Sequence, residues 1–170
     1  MPGPALGAIT GLTTAATFAV TPGSYQCFRV QSFNDAGKSG WSSYGCIQTP
    51  GFTVAATTRW ADTGVSLPAG IRLRISASGT ITVSSGYSSV PPAGVPSCVP
   101  ATAVPGASPP FIAPNLPCWS LVGRIGDGIP LEVGSSVVIT TTAGRLYLSV
   151  NDNYFAGNSG NWTADLKEGG

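Results

Sequence analysis

Side chains that carry oxygen are concentrated in residues 150–162, where the sequence reads VNDNYFAGNSGNW. Four asparagines and one aspartate fall within this stretch: Asn151, Asp152, Asn153, Asn158 and Asn161. Carboxylate and carboxamide oxygens are the ligands that calcium and other hard cations take in proteins. The same side chains also hydrogen-bond nearby backbone groups and so shape turns. The spacing therefore leaves two interpretations open, a cation site and a turn held by its own side chains.

The strands that position this stretch can be predicted from alternating apolar and polar residues. Within residues 71–77, Leu73 and Ile75 alternate with Arg72 and Arg74, as in a sheet with one solvated face. Turn sequences are predicted at 76–79, 126–128 and 141–144. The candidate strands are 52–58, 64–67, 71–77, 80–84, 119–125, 131–133, 137–142, 145–150 and 162–166. This pattern predicts an all-β fold, and among all-β folds it favours a jelly-roll-like β-sandwich.

The composition argues against several classes of function. Charged residues make up 9% of the chain and the net charge is +1, without a basic patch, so no nucleic-acid partner is expected. The absence of histidine excludes a Ser-His-Asp arrangement, and the sequence predicts a non-enzymatic protein. No apolar run approaches the ~20 residues of a membrane span, so no such span is expected.

The four cysteines fall into two local pairs, Cys27 with Cys46 and Cys98 with Cys118. Without CxxC spacing or histidine they are poor candidates for a zinc site. Two disulfides are favoured, which predicts an extracellular or cell-surface location, and buried free thiols are the alternative. Residues 1–12 have neither the charged nor the apolar region of a signal peptide. We therefore expect this chain to be a fragment of a longer exported precursor.

The first part of the chain contains a YQCFRV strand, an NDAG turn and a WSS sequence before a final strand. Over residues 12–50 this order resembles the last strands of a fibronectin type III domain. Such a fold needs about seven strands, and only TFAV, YQCFRV and YGCIQT fit here. We predict that residues 1–50 are a partial domain, with Cys27 and Cys46 on neighbouring strands. Its open face would be completed by the rest of the chain, by a partner chain or by self-assembly.

Residues 86–118 interrupt the strand pattern with a proline-rich insertion. Proline cannot donate to a sheet ladder and favours extended backbone, so a long loop is expected here. A Cys98–Cys118 disulfide would enclose most of this loop. We predict an ordered surface loop held by that disulfide, and a flexible linker is the alternative.

Three segments beyond Gly51 carry a second resemblance: WADTGVSLPAGIRLRISASG, WSLVGRIGDGIPLEVG and GRLYLSVNDNYFAGNSGNWTADL. In this order they are similar to the calcium-dependent, galactose-binding bacterial lectins of the jelly-roll type, over roughly residues 52–167. The resemblance implies a lectin-like β-sandwich at 51–170, broken by the insertion at 86–118.

The same resemblance implies a calcium ion in the loop of the opening stretch. Its ligands would be side-chain oxygens of Asp152 and Asn158 and backbone carbonyls near Val83 and at Phe155 or Ala156. In this family two sugar hydroxyls bind the calcium ion directly. The position before Asn158, which in the family is usually a further ligand, is Gly157 in this chain.

A glycan, galactose-like or other, is the ligand that the resemblance implies. The candidate sugar-binding residues are Asp152, Asn153, Tyr154, Phe155, Asn158, Tyr87 and Phe111. The four aromatic residues in this set would stack on sugar rings, since exposed rings are suited to that contact. The family's sugar-contacting histidine has no counterpart, which predicts a specificity different from plain galactose binding. Trp60, Trp119 and Trp162 are expected in the core.

Two functions follow from these expectations. The first is a non-catalytic carbohydrate-binding module of a secreted or cell-surface protein, which could depend on calcium. The second is a structural or adhesive extracellular protein that assembles through strand edges, with the lectin-like fold as a scaffold.

Overall fold

The computed structural model describes residues 25–43, 45–48, 51–84 and 86–168. The strands before the sandwich are β1 (Tyr25–Phe28), β2 (Phe33–Asn34), β3 (Gly37–Lys38) and β4 (Gly45–Gln48). Those of the sandwich are β5 (Phe52–Ala55), β6 (Ala61–Leu67), β7 (Arg72–Thr82), β8 (Leu121–Ile125), β9 (Leu131–Glu132), β10 (Ser136–Thr140), β11 (Gly144–Val150) and β12 (Ser159–Glu168). One short helix is described, α1 (Pro100–Ala103).

The sandwich consists of two four-stranded antiparallel sheets. One has the order β10-β7-β12-β5 and the other the order β6-β11-β8-β9. Strands β7 and β12 form the longest pair, which runs from Ser159 opposite Thr82 to Glu168 opposite Leu73. In the second sheet β11 is central, and Tyr147 lies opposite both Asp62 of β6 and Arg124 of β8. The predicted all-β fold with antiparallel sheets is confirmed.

The two sheets share a single hydrophobic core. Ile75 and Trp162 of the first sheet and Leu121 and Leu148 of the second are all fully buried in one cluster. Alternation along β7 places Leu73 and Ile75 inside and leaves Arg72 and Arg74 exposed, as the sequence predicts. Burial of two apolar faces against each other is what holds this architecture together.

The turn predicted at 76–79 is wrong, because β7 continues through it. Gly79 has a φ of 98° and lies opposite Trp162 of β12. A Cβ at this position would come within 3.1 Å of the carbonyl oxygen of Asn161. The glycine is therefore explained by a close approach of two strands inside the sheet.

The proline-rich insertion is tied to the sandwich by several contacts. The Cys98–Cys118 disulfide joins residues whose Cα atoms are 5.3 Å apart. Val90 pairs with Ile81 and Val95 pairs with Cys118, each through an isolated bridge. The ordered, disulfide-held loop predicted from the sequence agrees with these contacts. The helix α1 within the insertion was not predicted.

Among the described residues no helix has the length and apolar character needed to cross a membrane.

Strands β1 and β4 form an antiparallel pair whose register places Cys27 opposite Cys46. This agrees with the prediction of neighbouring strands. The side chains of Cys27 and Cys46 lie outside those that the structure describes, so the disulfide between them stays a prediction. The predicted TFAV strand also lies outside the described residues and stays a prediction. Strands β2 and β3 form a tight hairpin, in which the Asn34 side chain accepts a 2.9 Å hydrogen bond from the Ala36 amide.

Candidate functional site

Asp152 and Asn158 lie at the two ends of the β11–β12 loop and are bonded to each other. The carboxamide nitrogen of Asn158 donates a 2.8 Å hydrogen bond to Oδ2 of Asp152. Oδ1 of Asp152 accepts from the backbone amides of Asn153 at 2.7 Å and Tyr154 at 3.3 Å. Both side chains are buried. The carboxylate therefore begins the turn and the carboxamide closes it.

Asn158 also connects this loop to two other segments of the sandwich. Its carboxamide nitrogen donates to the carbonyl oxygen of Ala56 at 3.1 Å, just beyond β5. Its carboxamide oxygen accepts a 3.0 Å bond from the amide of Ser84, just beyond β7. Each contact spans more than 70 residues of sequence. Ala56 and Ser84 were not predicted, since no local pattern relates them to Asn158.

Gly157 is required by the close approach of this loop to Ser84. A Cβ at position 157 would lie 2.5 Å from the Cβ of Ser84, which is a clash. A side chain at this position would therefore require the loop or Ser84 to shift, and the hydrogen bond between the Ser84 amide and Asn158 opposes such a shift. Gly157, where the lectin family usually has a further ligand, thus leaves the space that the Ser84–Asn158 hydrogen bond requires.

Asn151 holds the end of the proline-rich insertion. Its fully buried carboxamide accepts from the amide of Ala113 at 2.9 Å. It donates to three carbonyl oxygens, those of Ala113 at 2.9 Å, Leu116 at 3.2 Å and Pro117 at 2.9 Å. Proline has no amide hydrogen to donate, and the carbonyl of Leu116 takes its hydrogen bond from this carboxamide. Asn151 was predicted only as a residue that caps a turn, and this clasp is an additional role.

The tip of the loop exposes polar and aromatic side chains. Asn153 reaches the insertion, where its side chain donates to the carbonyl of Pro109 at 3.1 Å. Tyr154 is 55% exposed, whereas Phe155 is half-buried and packs against the core. Ala156 is exposed beside them. Of the predicted stacking residues in this loop, Tyr154 is the one that offers a ring to solvent.

A second aromatic group lies where the insertion joins the sandwich. Tyr87 is 47% exposed, and its ring is 4.7 Å from that of the buried Trp119. Phe111 packs on the same tryptophan at 6.4 Å but belongs to the core. The expectation that Phe111 is exposed for stacking is therefore corrected, because its ring is buried in the core beside Trp119. Trp119 and Trp162 are buried as predicted, and Trp60 is half-buried.

Two of the carbonyls proposed as calcium ligands already accept backbone hydrogen bonds. The carbonyl of Val83 accepts from the amide of Gly86 at 3.1 Å, and that of Phe155 accepts from Asn158 at 3.2 Å. The amide of Ser84, next to Val83, reaches Asn158 directly, so the end of β7 does meet the loop as predicted. Among the described residues no group of three acidic, histidine or cysteine side chains could hold a metal ion.

As oriented here, the side chains of Asp152 and Asn158 face each other as acceptor and donor. Calcium takes six to eight oxygen ligands, and the group facing Asp152 is the amide nitrogen of Asn158. Rotating that carboxamide would bring its oxygen toward Asp152 and Ala56. The same rotation would place the NH₂ group against the amide of Ser84, two donors facing each other. The hydrogen bonds of Asn158 thus compete with metal ligation by the same residue.

Comparison with known proteins bears on the fold. No protein-family model matches the chain, and no curated protein does. A solved structure described as "EclA N-terminal domain; PllA-like lectin" is similar, with a TM-score of 0.50 and 23% identity. The similarity covers 69% of this chain and 93% of that one. At this identity the likeness is one of fold, and the chain is a lectin-like β-sandwich.

Proposed function

We propose that this chain is a non-catalytic carbohydrate-binding module of a secreted or cell-surface protein. The lectin-like β-sandwich supports this at a coarse level, and the Cys98–Cys118 disulfide is compatible with an extracellular location. The ligand is a glycan bound at the surface formed by the β11–β12 loop and the neighbouring residues after β7.

One observation carries this proposal: Tyr154 is exposed on a loop whose two ends are joined by the Asp152–Asn158 hydrogen bond. The two buried side chains fix both ends of the loop, and Ser84 fixes it to the segment that leads to Tyr87. Exposed tyrosines on a fixed backbone suit sugar stacking, because little conformational entropy is lost on binding. The carboxamide of Asn153 would form hydrogen bonds with the hydroxyl groups of the sugar.

Within this proposal, the next point is whether glycan binding requires a calcium ion. The lectin resemblance implies a calcium ion at Asp152 and Asn158, and the hydrogen bonds of Asn158 favour a loop held without one. We therefore expect glycan binding at this loop to proceed without calcium. With Phe111 buried and no histidine present, the specificity is expected to differ from plain galactose binding.

A glycan array probed with the full chain and two variants tests the proposal. Tyr154→Ala removes the exposed ring and should abolish binding to the glycans that the wild type selects. Ile129→Ala is the matched control, since Ile129 is 91% exposed and follows β8 at the end remote from Asn151. Equal signals from the wild type and Tyr154→Ala would move the site elsewhere, and an array without signal would contradict the function.

The alternative of a structural or adhesive protein is favoured by one observation. Three large apolar side chains in residues 29–43 are exposed, Val30, Phe33 and Trp41. Exposed apolar residues in such a short segment suit a contact with another protein. Sedimentation of the full chain at increasing concentration would reveal self-association, which Trp41→Ser should then reduce.

A further inference from the structure

The outer face of the second sheet holds an arginine between two aromatic rings. The guanidinium carbon of Arg124 lies 4.6 Å from the ring centre of Trp60 and 5.2 Å from that of Tyr147. Such contacts attract a cation to the ring face and fix the plane of an arginine. The three side chains, Trp60, Arg124 and Tyr147, are named the arginine clamp.

Strand register explains why these residues meet. Leu146 and Leu148 of β11 are in the core, so the intervening Tyr147 points to the opposite face. Arg124 lies directly opposite Tyr147 on β8, and Trp60 immediately precedes β6 on the other side of β11. The clamp is therefore built on two paired strands, β8 and β11, and on the residue that leads into β6.

The guanidinium of Arg124 lacks a strong acceptor in the part of the chain that the structure describes. Its Nε is buried and has no hydrogen-bond partner there. Its one ion pair is with Asp127, at 3.7 Å, and that side chain is fully exposed on the β8–β9 turn. A solvent-exposed pair of this length contributes little. The cation is thus partly covered by the rings, and its one ion pair among the described residues is the long, exposed contact with Asp127.

A neighbouring arginine on the same face shows the arrangement with an acceptor in place. Arg145 donates from Nε to Oδ1 of Asp62 at 2.7 Å and from Nη2 to Oδ2 at 3.1 Å. This two-bond pairing is the geometry that guanidinium and carboxylate groups prefer. Arg124 cannot pair through the same edge, because its Nε is buried; 26% of its side chain is exposed, and no carboxylate of the described residues makes a two-bond pairing with it.

We propose that the arginine clamp is a second binding site, which takes the carboxylate of an acidic sugar. The terminal nitrogens of Arg124 would bind the carboxylate, because Nε is covered, and the sugar would lie beside the edge of Tyr147 or Trp60, whose faces toward Arg124 are occupied. That the carboxylate belongs to a sugar rests on the proposed function. The site itself rests on the clamp alone and uses none of the residues of the β11–β12 loop.

Binding of a galacturonate trisaccharide to the full chain tests this proposal. The neutral galactose trisaccharide and acetate are the comparison probes, which separate an acidic sugar from a neutral sugar and from a bare carboxylate. The wild type should bind the acidic trisaccharide at least about tenfold more tightly than either, as expected for one charge-assisted pair. Arg124→Gln should remove that preference. Arg74→Gln, the same charge change on the exposed face of the other sheet, should retain it.

A spectroscopic measurement on the wild type makes the test independent of variant stability. The Nε–Hε signal of Arg124 should be resolved by NMR, because that atom is buried, and should shift on addition of the acidic trisaccharide. Acidic-sugar binding that Arg124→Gln leaves unchanged, or no preference over the neutral sugar, would overturn the proposal. Equal binding of acetate would overturn the assignment to a sugar. Loss of neutral-glycan binding in Tyr154→Ala bears on the loop site alone, so the two proposals can fail separately.

Discussion

Asn158 donates a 2.8 Å hydrogen bond from its carboxamide nitrogen to Oδ2 of Asp152, at the position where the lectin resemblance implies a calcium ion. A carboxylate that accepts a hydrogen bond from an amide has a partner for that oxygen without a metal ion. The same carboxamide reaches Ala56 and Ser84, so one side chain joins three segments of the sandwich. This arrangement explains how a loop rich in oxygen can hold its shape by hydrogen bonds.

Asn158→Asp should make the loop dependent on calcium. The change replaces the donor by a second carboxylate facing Asp152, and we expect a loss of about 2–4 kcal/mol in the free energy of unfolding in chelator. Calcium should then raise the melting temperature of the variant and leave the wild type unchanged. Asn153→Asp is the control with the same charge change at a half-buried position. A wild type stabilised by calcium would contradict a loop held by hydrogen bonds alone.

Asn151→Ala should detach the end of the proline-rich insertion. The change removes the hydrogen bonds of a fully buried carboxamide and leaves the amide of Ala113 and the carbonyl of Leu116 without these partners. We expect a loss of about 3 kcal/mol in the free energy of unfolding, measured by chemical denaturation. Asn161→Ala, on the exposed side of β12, should cost less than about 0.5 kcal/mol. Equal effects of the two substitutions would refute the clasp.

Loss of the Cys98–Cys118 disulfide should destabilise the sandwich by about 3 kcal/mol, since the bond closes a loop of 20 residues. Denaturation of the Cys98→Ala/Cys118→Ala variant measures this. Alkylation without reductant, followed by mass measurement, tests both predicted disulfides at once. No alkyl label is expected on any cysteine. Labels on Cys27 and Cys46 alone would disprove the Cys27–Cys46 disulfide and leave the Cys98–Cys118 disulfide intact.

The carboxyl group of Asp62 should titrate below the ordinary range of an aspartate. The hydrogen bonds from Arg145 lower its pKa, and the amide of Gly64 lowers it further. Because the folded-state pKa is depressed, the associated stability is present above the unfolded-state pKa and is lost as pH falls through the folded value. An NMR titration of the side-chain carboxyl should show this, and Arg145→Gln should raise the pKa toward its usual value. An unchanged pKa in that variant would contradict the pairing.

Much of the fold could be predicted because local alternation reflects burial. The leucine and isoleucine positions of β7 face the core as expected, and the paired spacing of Cys98 and Cys118 indicated their disulfide. The sequence 76–79 misled because glycine marks both turns and close strand contacts. Gly79 marks a close strand contact, and that contact is made with a partner strand about 80 residues away in the sequence.

The candidate site was only partly predictable for a related reason. Asp152 and Asn158 stand out because their side chains and spacing are local features. The partners of Asn158 and the clasp made by Asn151 are contacts between distant segments, which no single stretch of sequence reveals. Phe111 lies in a polar and proline-rich context that suggests exposure, yet the insertion folds its ring onto Trp119.

Calorimetric titration of the chain with the strongest glycan from the array, in excess chelator and again in calcium, tests the central claim most directly. We predict the same dissociation constant in both buffers, within about twofold, and a loss of binding in Tyr154→Ala under both conditions. Affinity that disappears in chelator and returns with calcium would contradict the hydrogen-bonded loop and establish the metal site in its place. Unchanged affinity of Tyr154→Ala in both buffers would contradict the location of the site.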